Sequence, residues 1–218
     1  MLTWLQRLSA RNKLEEQLFP RLKLPVVFRG YAPKDRESCL RIYDENQPGR
    51  FPATDRNVFS DYLQGSEKCL IVAESESEVI GFSGITLHGE NVATLCYGIL
   101  SPRVQRQRIG ATLTLLRISL IPPSSEGDLE MIHAVDQSLP IYRRFGFEQT
   151  GRWESSDLTE HPSAGLYIPP FTHDRIRITL RKRGTTIVNA PVLKPTGDPL
   201  CRLAAADGGF EIVEYAHP

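Results

Sequence analysis

The chain has 218 residues, 40% of them hydrophobic and 24% charged, enough for a full domain with a packed core and too apolar for a disordered polymer. Lys and Arg total 26, as do Asp and Glu, a balance that argues against a dedicated nucleic-acid binder and against long-range steering of an acidic partner. The four cysteines, Cys39, Cys69, Cys96 and Cys201, lie far apart without a CxxC pair, so reduced thiols in a cytoplasmic protein are expected, not a zinc or disulfide framework. No apolar run approaches the roughly 18–20 residues that cross a bilayer, and the first residues lack a small-residue cleavage site, so neither a membrane span nor a signal peptide is expected.

In chain order, Trp4, Leu5, Leu8, Leu14 and Leu18 predict an amphipathic helix over 2–19, stopped by Pro20. Residues 25–30 read as a strand. Residues 34–45 read as a helix with Cys39, Leu40, Ile42 and Tyr43 on its apolar side. Residues 46–57 have loop chemistry, and Asp55 opens a short second helix through Phe59 and Tyr62. The runs Cys69–Ala73 and Val79–Leu87 flank the polar stretch 74–78, a hairpin with an acidic tip. A turn at 88–91 leads into a strand over Val92–Leu100. Ile109, Leu113, Leu116 and Leu120 form the stripe of a helix over 109–121, ended by Pro122 and Pro123. A strand at 129–135, a short helix at 137–145 and a strand near 147–153 follow. Residues 154–174 read as an irregular insertion. The alternation of Arg175–Arg181 reads as a half-buried edge strand, and the tail is expected to add a hairpin from 185–188 and 210–215.

Chemistry concentrates in 100–113, where a strand ends, a basic loop follows and a helix begins. The first turn of a helix leaves backbone N–H groups unpaired, and its dipole adds positive charge there. Gly110 and Ala111 let a ligand approach closely, and Arg103, Arg106 and Arg108 supply formal charge, so the segment reads as a pyrophosphate cradle. The segment 139–148 places Tyr142 shortly before Gly146-Phe147.

Together these segments resemble the GNAT acyltransferase superfamily. In that family a strand ending in Val-x-Pro leads into (Gln/Arg)-x-x-Gly-x-(Gly/Ala), and a Tyr later precedes a Gly-Phe pair. Gln105 and Gly110 match the first pattern; Tyr142, Gly146 and Phe147 match the second. The likeness spans about residues 26–182 and leaves a helical extension at 1–24, a transferase domain at 25–183 and a C-terminal extension at 184–218. Arg108 stands where the family's first glycine belongs, with helical backbone angles expected of it and a phosphate contact open to its side chain. Thr94 stands where several members carry a Glu general base; it can hold a water but cannot act as that base.

The resemblance implies an α+β fold, an α/β/α sandwich, whose mixed, mostly antiparallel sheet splays into a V between the strands near 92–100 and 129–135. It implies an N-acyltransferase that moves an acetyl or other short acyl group from acetyl-CoA to a primary amine, without a metal. The alternative is an acyl-CoA sensor or assembly module on the same fold. The implied cofactor-binding set is Ile99, Leu100, Gln105, Arg106, Gln107, Arg108, Ile109, Gly110, Ala111, Thr112, Asp136, Ser138 and Tyr142. The Leu100 backbone N–H would polarise the acyl carbonyl, Tyr142 would protonate the leaving thiolate, and Glu90 is the base candidate, with Asp136, His133 and Glu74 as others by position. The acceptor, an amine-bearing small molecule or a peptide or protein, would lie against Phe51, Phe59, Tyr62, Tyr167 and Phe171. No nucleic-acid or membrane partner is expected. The helix 2–19 and the tail 184–218 are the segments open to a homodimer contact or to completing the core. A Rossmann enzyme does not fit, because GxGxxG is missing near the start and antiparallel hairpins fill the middle.

Overall fold

Cys69-Leu70-Ile71-Val72-Ala73 is an unbroken apolar run, which a strand tolerates only where both faces of its sheet are covered. The computed structural model describes residues 21–47, 51, 53–65, 69–88, 92–122, 128–133, 138–154, 160–168, 172–196, 201–206 and 209–215. In chain order these form β1 (Val27–Gly30), α1 (Arg36–Glu45), α2 (Arg56–Tyr62), β2 (Cys69–Ser75), β3 (Glu78–His88) and β4 (Val92–Leu100). Then come α3 (Ile109–Leu120), β5 (Asp128–His133), α4 (Leu139–Phe145), β6 (Glu148–Glu154), β7 (Glu160–Ile168) and α5 (Thr172–Lys182). Short strands β8 (Ile187–Val188) and β9 (Pro195–Thr196) precede β10 (Cys201–Ala206) and β11 (Gly209–Tyr215).

One nine-stranded sheet runs β6-β7-β5-β4-β3-β2-β1-β8, with β9 beside β3. On one face, Cys69, Ile71 and Ala73 join Ile85, Leu95, Ile109, Leu113 and Leu116 in a cluster beneath α3. On the other, Leu70 and Val72 meet Cys39, Ile42, Tyr43, Phe59 and Phe82 beneath α1 and α2. Alternation along β2 thus feeds two cores, which explains its continuous hydrophobicity. Pairing is antiparallel except for β4–β5, β1–β8 and β3–β9. The architecture is the mixed, mostly antiparallel α+β sheet that the sequence implies. The β4–β5 ladder joins Val92–Leu95 to Leu129–Ile132 and goes no further among the described residues. Among the described residues, Cys96–Leu100 pairs only with β3, and this is the splay.

Three expectations are corrected. Residues 154–174 are not irregular throughout: β7 runs through them and pairs with β5 and β6. Ala164, Leu166 and Ile168 do alternate there and are buried, but Pro162 and Gly165 break up the pattern. Residues 175–181 lie in α5, not in a strand. His173, Ile176 and Leu180 share one helical face and are buried, whereas Ile178, which the alternation would have turned inward, is 51% exposed. Helix α5 also terminates α3: His173 Nδ1 donates to the Ile118 carbonyl at 2.9 Å, and Arg177 donates to those of Ser119 and Ile121 at 2.7 and 3.1 Å. In the tail, Ile187–Val188 adds to β1 in parallel, and the hairpin forms between β10 and β11 instead. The helix expected at 2–19 lies outside the described residues.

Candidate active site

The end of β4 and the loop after it are pinned by polar side chains. Asn46, buried at the close of α1, donates through Nδ2 to the carbonyls of Ile42 and Leu100 at 2.8 and 3.0 Å. Gln105 Nε2 donates to the same Leu100 oxygen at 3.3 Å and to Asn46 Oδ1 at 3.2 Å. Ser101 Oγ donates to Glu45 at 2.7 Å. Gln105 therefore holds the loop against β4 and α1. Asn46 and Glu45 escaped the sequence reading because their partners are 54 to 59 residues away.

The loop's N–H groups then divide. Those of Val104 and Gln105 donate to Ser101 and Pro102, and that of Thr112 closes the first turn of α3 on the Arg108 carbonyl at 3.2 Å. The Thr112 hydroxyl donates to that oxygen too. Between them, the N–H groups of residues 106–111 have no protein acceptor among the described residues. Ile109 is fully buried, so only its backbone is open to a ligand. Gln107 and Ala111 are half-buried, and Arg106 and Arg108 are exposed without a carboxylate partner among the described residues. Arg103 is engaged with Glu78 and holds that carboxyl below its usual range.

Arg108 is not helical, contrary to expectation. It caps α3 with φ 71° and ψ 3°, in the left-handed region. A left-handed backbone strains a residue with a side chain but not glycine, which explains a glycine at this place in the related pattern. Arg106 has φ 63° and Tyr97 φ 42°, so three of the six described non-glycine residues with positive φ lie between 97 and 108. Arg108→Gly is expected to raise stability by up to about 1 kcal/mol while weakening the CoA binding that the resemblance implies, because strain and a cation leave together. Melting curves with and without CoA check this; a fall in both would show that the side chain supports the loop.

Tyr97 and Gly98 both face Ser83, forming a bulge between the Cys96–Gly84 and Ile99–Phe82 pairs. The bulge occupies the splayed half of β4. A Cβ on Gly98 would lie 3.3 Å from Arg117 Nη2 and 3.4 Å from Tyr142 Oη, so both side chains converge there. Tyr142 comes from α4. Gly146, at φ 97°, ends that helix and returns Phe147, whose N–H donates to the Tyr142 carbonyl at 3.3 Å. Phe147 is buried, and its ring meets that of Tyr142 edge-on at 5.5 Å. The Gly-Phe pair is thus a local device that sets the phenol. Ser138 stands at the N-terminal cap of this helix, and its backbone carbonyl accepts from the Ile141 N–H at 3.0 Å.

On the α1–α2 side, Phe59 is fully buried and stacks on Tyr43 at 4.6 Å; Tyr62, also buried, meets Tyr97 at 4.6 Å. Phe51 and Tyr97 are half-buried in front of them. Ile99 is buried in the same cluster. Glu90, Asp136 and Phe171 lie outside the described residues, as do the side chains of Tyr167 and His133, while Glu74 is engaged by Arg29 at 2.7 Å. A group that the sequence reading missed stands beside Thr94: His88 Nε2 is 3.1 Å from Thr94 Oγ1, and burial pushes the imidazole below its usual range. The six-residue spacing across a predicted turn was the available signal. The Cys39 and Cys69 thiols are unpaired, and burial pushes each up to about 12, leaving them unreactive.

This splayed sheet, with an amide-lined loop at its mouth and a phenol in the cleft, defines an acyltransferase fold. Residues 39–159 match the family described as Acetyltransferase (GNAT) domain, and the chain belongs to that family. Among solved structures, it resembles Ard1 from Thermoplasma volcanium, with 18% identity, TM-score 0.53, and coverage of 66% of this chain and 97% of that one. An aminoglycoside 6'-N-acetyltransferase complexed with coenzyme A gives 10% identity, TM-score 0.54, and coverage of 66% and 98%. The ribosomal-protein-S18-alanine N-acetyltransferase from Escherichia coli gives 17% identity, TM-score 0.51, and coverage of 66% and 95%. No curated protein matches the sequence. No described helix is long and apolar enough to cross a membrane, and no metal-ligand cluster occurs among the described residues.

Proposed function

We propose that the protein transfers an acetyl or other short acyl group from acyl-CoA to a primary amine by direct attack. The observation that carries this reading is the run of unclaimed amide N–H groups at 106–111, opening beside a cleft that holds the Tyr142 hydroxyl. These amides, with Arg106 and Arg108, suit a pyrophosphate. The free half of β4 suits the pantetheine arm, which can lie against it as an added strand, with the Leu100 N–H toward the acyl oxygen. Asp136 and Ser138 complete the cofactor set. Phe51 and Tyr97, backed by Phe59 and Tyr62, face the acceptor, with Tyr167 kept as a further candidate from the sequence. Residues 25–183 act as the transferase domain, flanked by extensions at 1–24 and 184–218, in a cytoplasmic setting that fits the unpaired thiols.

The amine must lose a proton as it attacks. His88 takes that proton through the Thr94 hydroxyl, in place of the carboxylate that Thr94 displaces and ahead of Glu90. The 3.1 Å contact and the burial that keeps the imidazole neutral support this role. Because burial lowers the folded-state value, stability present above about 6.5 is lost as pH falls. His88→Gln should therefore flatten the drop in melting temperature between about pH 7 and pH 5 and cost turnover roughly 10- to 100-fold. Unchanged turnover would remove His88 from the mechanism.

The overall test pairs binding with turnover. Acetyl-CoA and desulfo-CoA are titrated against thermal stability, where about 100 times Kd adds about 2.7 kcal/mol. CoA release is then followed over amines that include an aminoglycoside and a peptide with N-terminal alanine. Release with some amine supports the proposal. Binding without release from any amine supports the sensor, and no binding of any CoA species overturns both.

A further inference from the structure

Arg117, on α3, is 1% exposed, yet no carboxylate pairs with it among the described residues. Among the described residues its guanidinium donates only to neutral oxygens: Nη1 to the Cys96 carbonyl at 3.3 Å, and Nη2 to Thr114 Oγ1 at 3.2 Å and Tyr142 Oη at 3.4 Å. Its Nε is buried with no hydrogen-bond partner among the described residues. A buried cation without a counter-charge costs several kcal/mol, and a leucine or methionine would fill this space at no such cost. The cation is thus placed to meet a negative charge that arises nearby at some other point in the molecule's cycle. It lies against the bulge at Gly98, beside the phenol, in the unpaired half of the splay.

We propose that Arg117 is a positioning residue of the transfer reaction, orienting the Tyr142 phenol and supporting the charge of the departing thiolate. The inference rests on the transferase reading above. Arginine has donors and no acceptor, so the Tyr142 oxygen must accept from it, and the phenol's own proton is left to point into the cleft. As the amine nitrogen bonds to the thioester carbon and the intermediate collapses, the C–S bond breaks with its electron pair on sulfur. The phenol proton passes to that sulfur, and solvent returns to the phenolate the proton that the amine gave up. The negative charge moves between sulfur and phenol oxygen, and one guanidinium faces both. The contact to the Cys96 carbonyl ties the cation to the edge of the bulge, so it stays in place when the cleft fills.

The experiment uses the full chain with CoA as probe and thiolate absorbance as readout. Bound to the wild type, the CoA thiol should ionise about one pH unit or more below free CoA. Arg117→Met should return it to the free value, and Arg117→Lys should keep most of the shift. Equal titration of CoA on the wild type and on Arg117→Met, both shown to bind it, would overturn the inference and leave the transferase reading standing. Failure of the wild type to bind CoA would overturn both. Should Arg117→Met not fold, Arg117→Gln and Arg117→Lys make the same comparison. With a productive amine, Arg117→Met should lower kcat by roughly 30-fold, and added to Tyr142→Phe it should cost clearly less than that, the remainder being its support of the thiolate. Fully additive losses would mean that the arginine does not act through the phenol.

Discussion

Gly110→Asp should leave a folded protein that no longer binds CoA. A Cβ at Gly110 meets only Leu100 Cδ1, at 3.6 Å, an ordinary contact, so the backbone need not move. The position is the second of α3, where a carboxylate favours the helix dipole by about 0.3–1 kcal/mol and replacing glycine lowers the entropy cost of folding. Melting temperature should hold or rise. The same carboxylate sits among the amides at 106–111 and would claim and repel what a pyrophosphate needs, so affinity for CoA should drop at least about 100-fold, about 2.7 kcal/mol. Calorimetric titration beside a melting curve reads both effects. Retained affinity would show that the diphosphate lies elsewhere; lost stability would show that the loop is more crowded than its geometry indicates.

Tyr142→Phe should separate chemistry from binding. The ring's edge-on contact with Phe147 survives the change, and the hydroxyl's contact with Arg117 is long at 3.4 Å, so stability should fall by less than about 1 kcal/mol. On the proposed mechanism the thiolate then leaves unprotonated, so kcat should drop about 100-fold or more while CoA affinity stays within about two-fold. Equal turnover would reduce Tyr142 to a packing residue. A matching loss in affinity would make it a binding group instead.

Much of this was legible in advance because the signals are local. The stripe Ile109, Leu113, Leu116 and Leu120 marked α3, the polar tip at 74–78 marked the β2–β3 turn, and Glu76 and Ser77 duly take positive φ there, at 51° and 65°. Residues 175–181 failed for the opposite reason. Arg-Ile-Arg-Ile-Thr-Leu-Arg satisfies a period of two as well as a helix with His173, and the choice fell to α3, whose bare C-terminal carbonyls His173 and Arg177 satisfy from a neighbouring helix. Likewise Arg108 was read as helical because nothing local in its neighbours requires a left-handed residue; the direction in which the loop must enter α3 does.

The order of strands and helices from β1 to β6, the helix that begins after the basic loop and the Tyr–Gly–Phe turn were legible from near neighbours along the chain, since periodicity, turn chemistry and helix ends act over a few residues. Where Arg117 lies, that no carboxylate among the described residues pairs with it, that His88 meets Thr94, and that Asn46 and Gln105 share the Leu100 carbonyl came from folding alone. Those contacts depend on the β3–β4 register, the bulge and the splay from β5, which are fixed by burial across the sheet, a property of the packed molecule that no short stretch of residues carries.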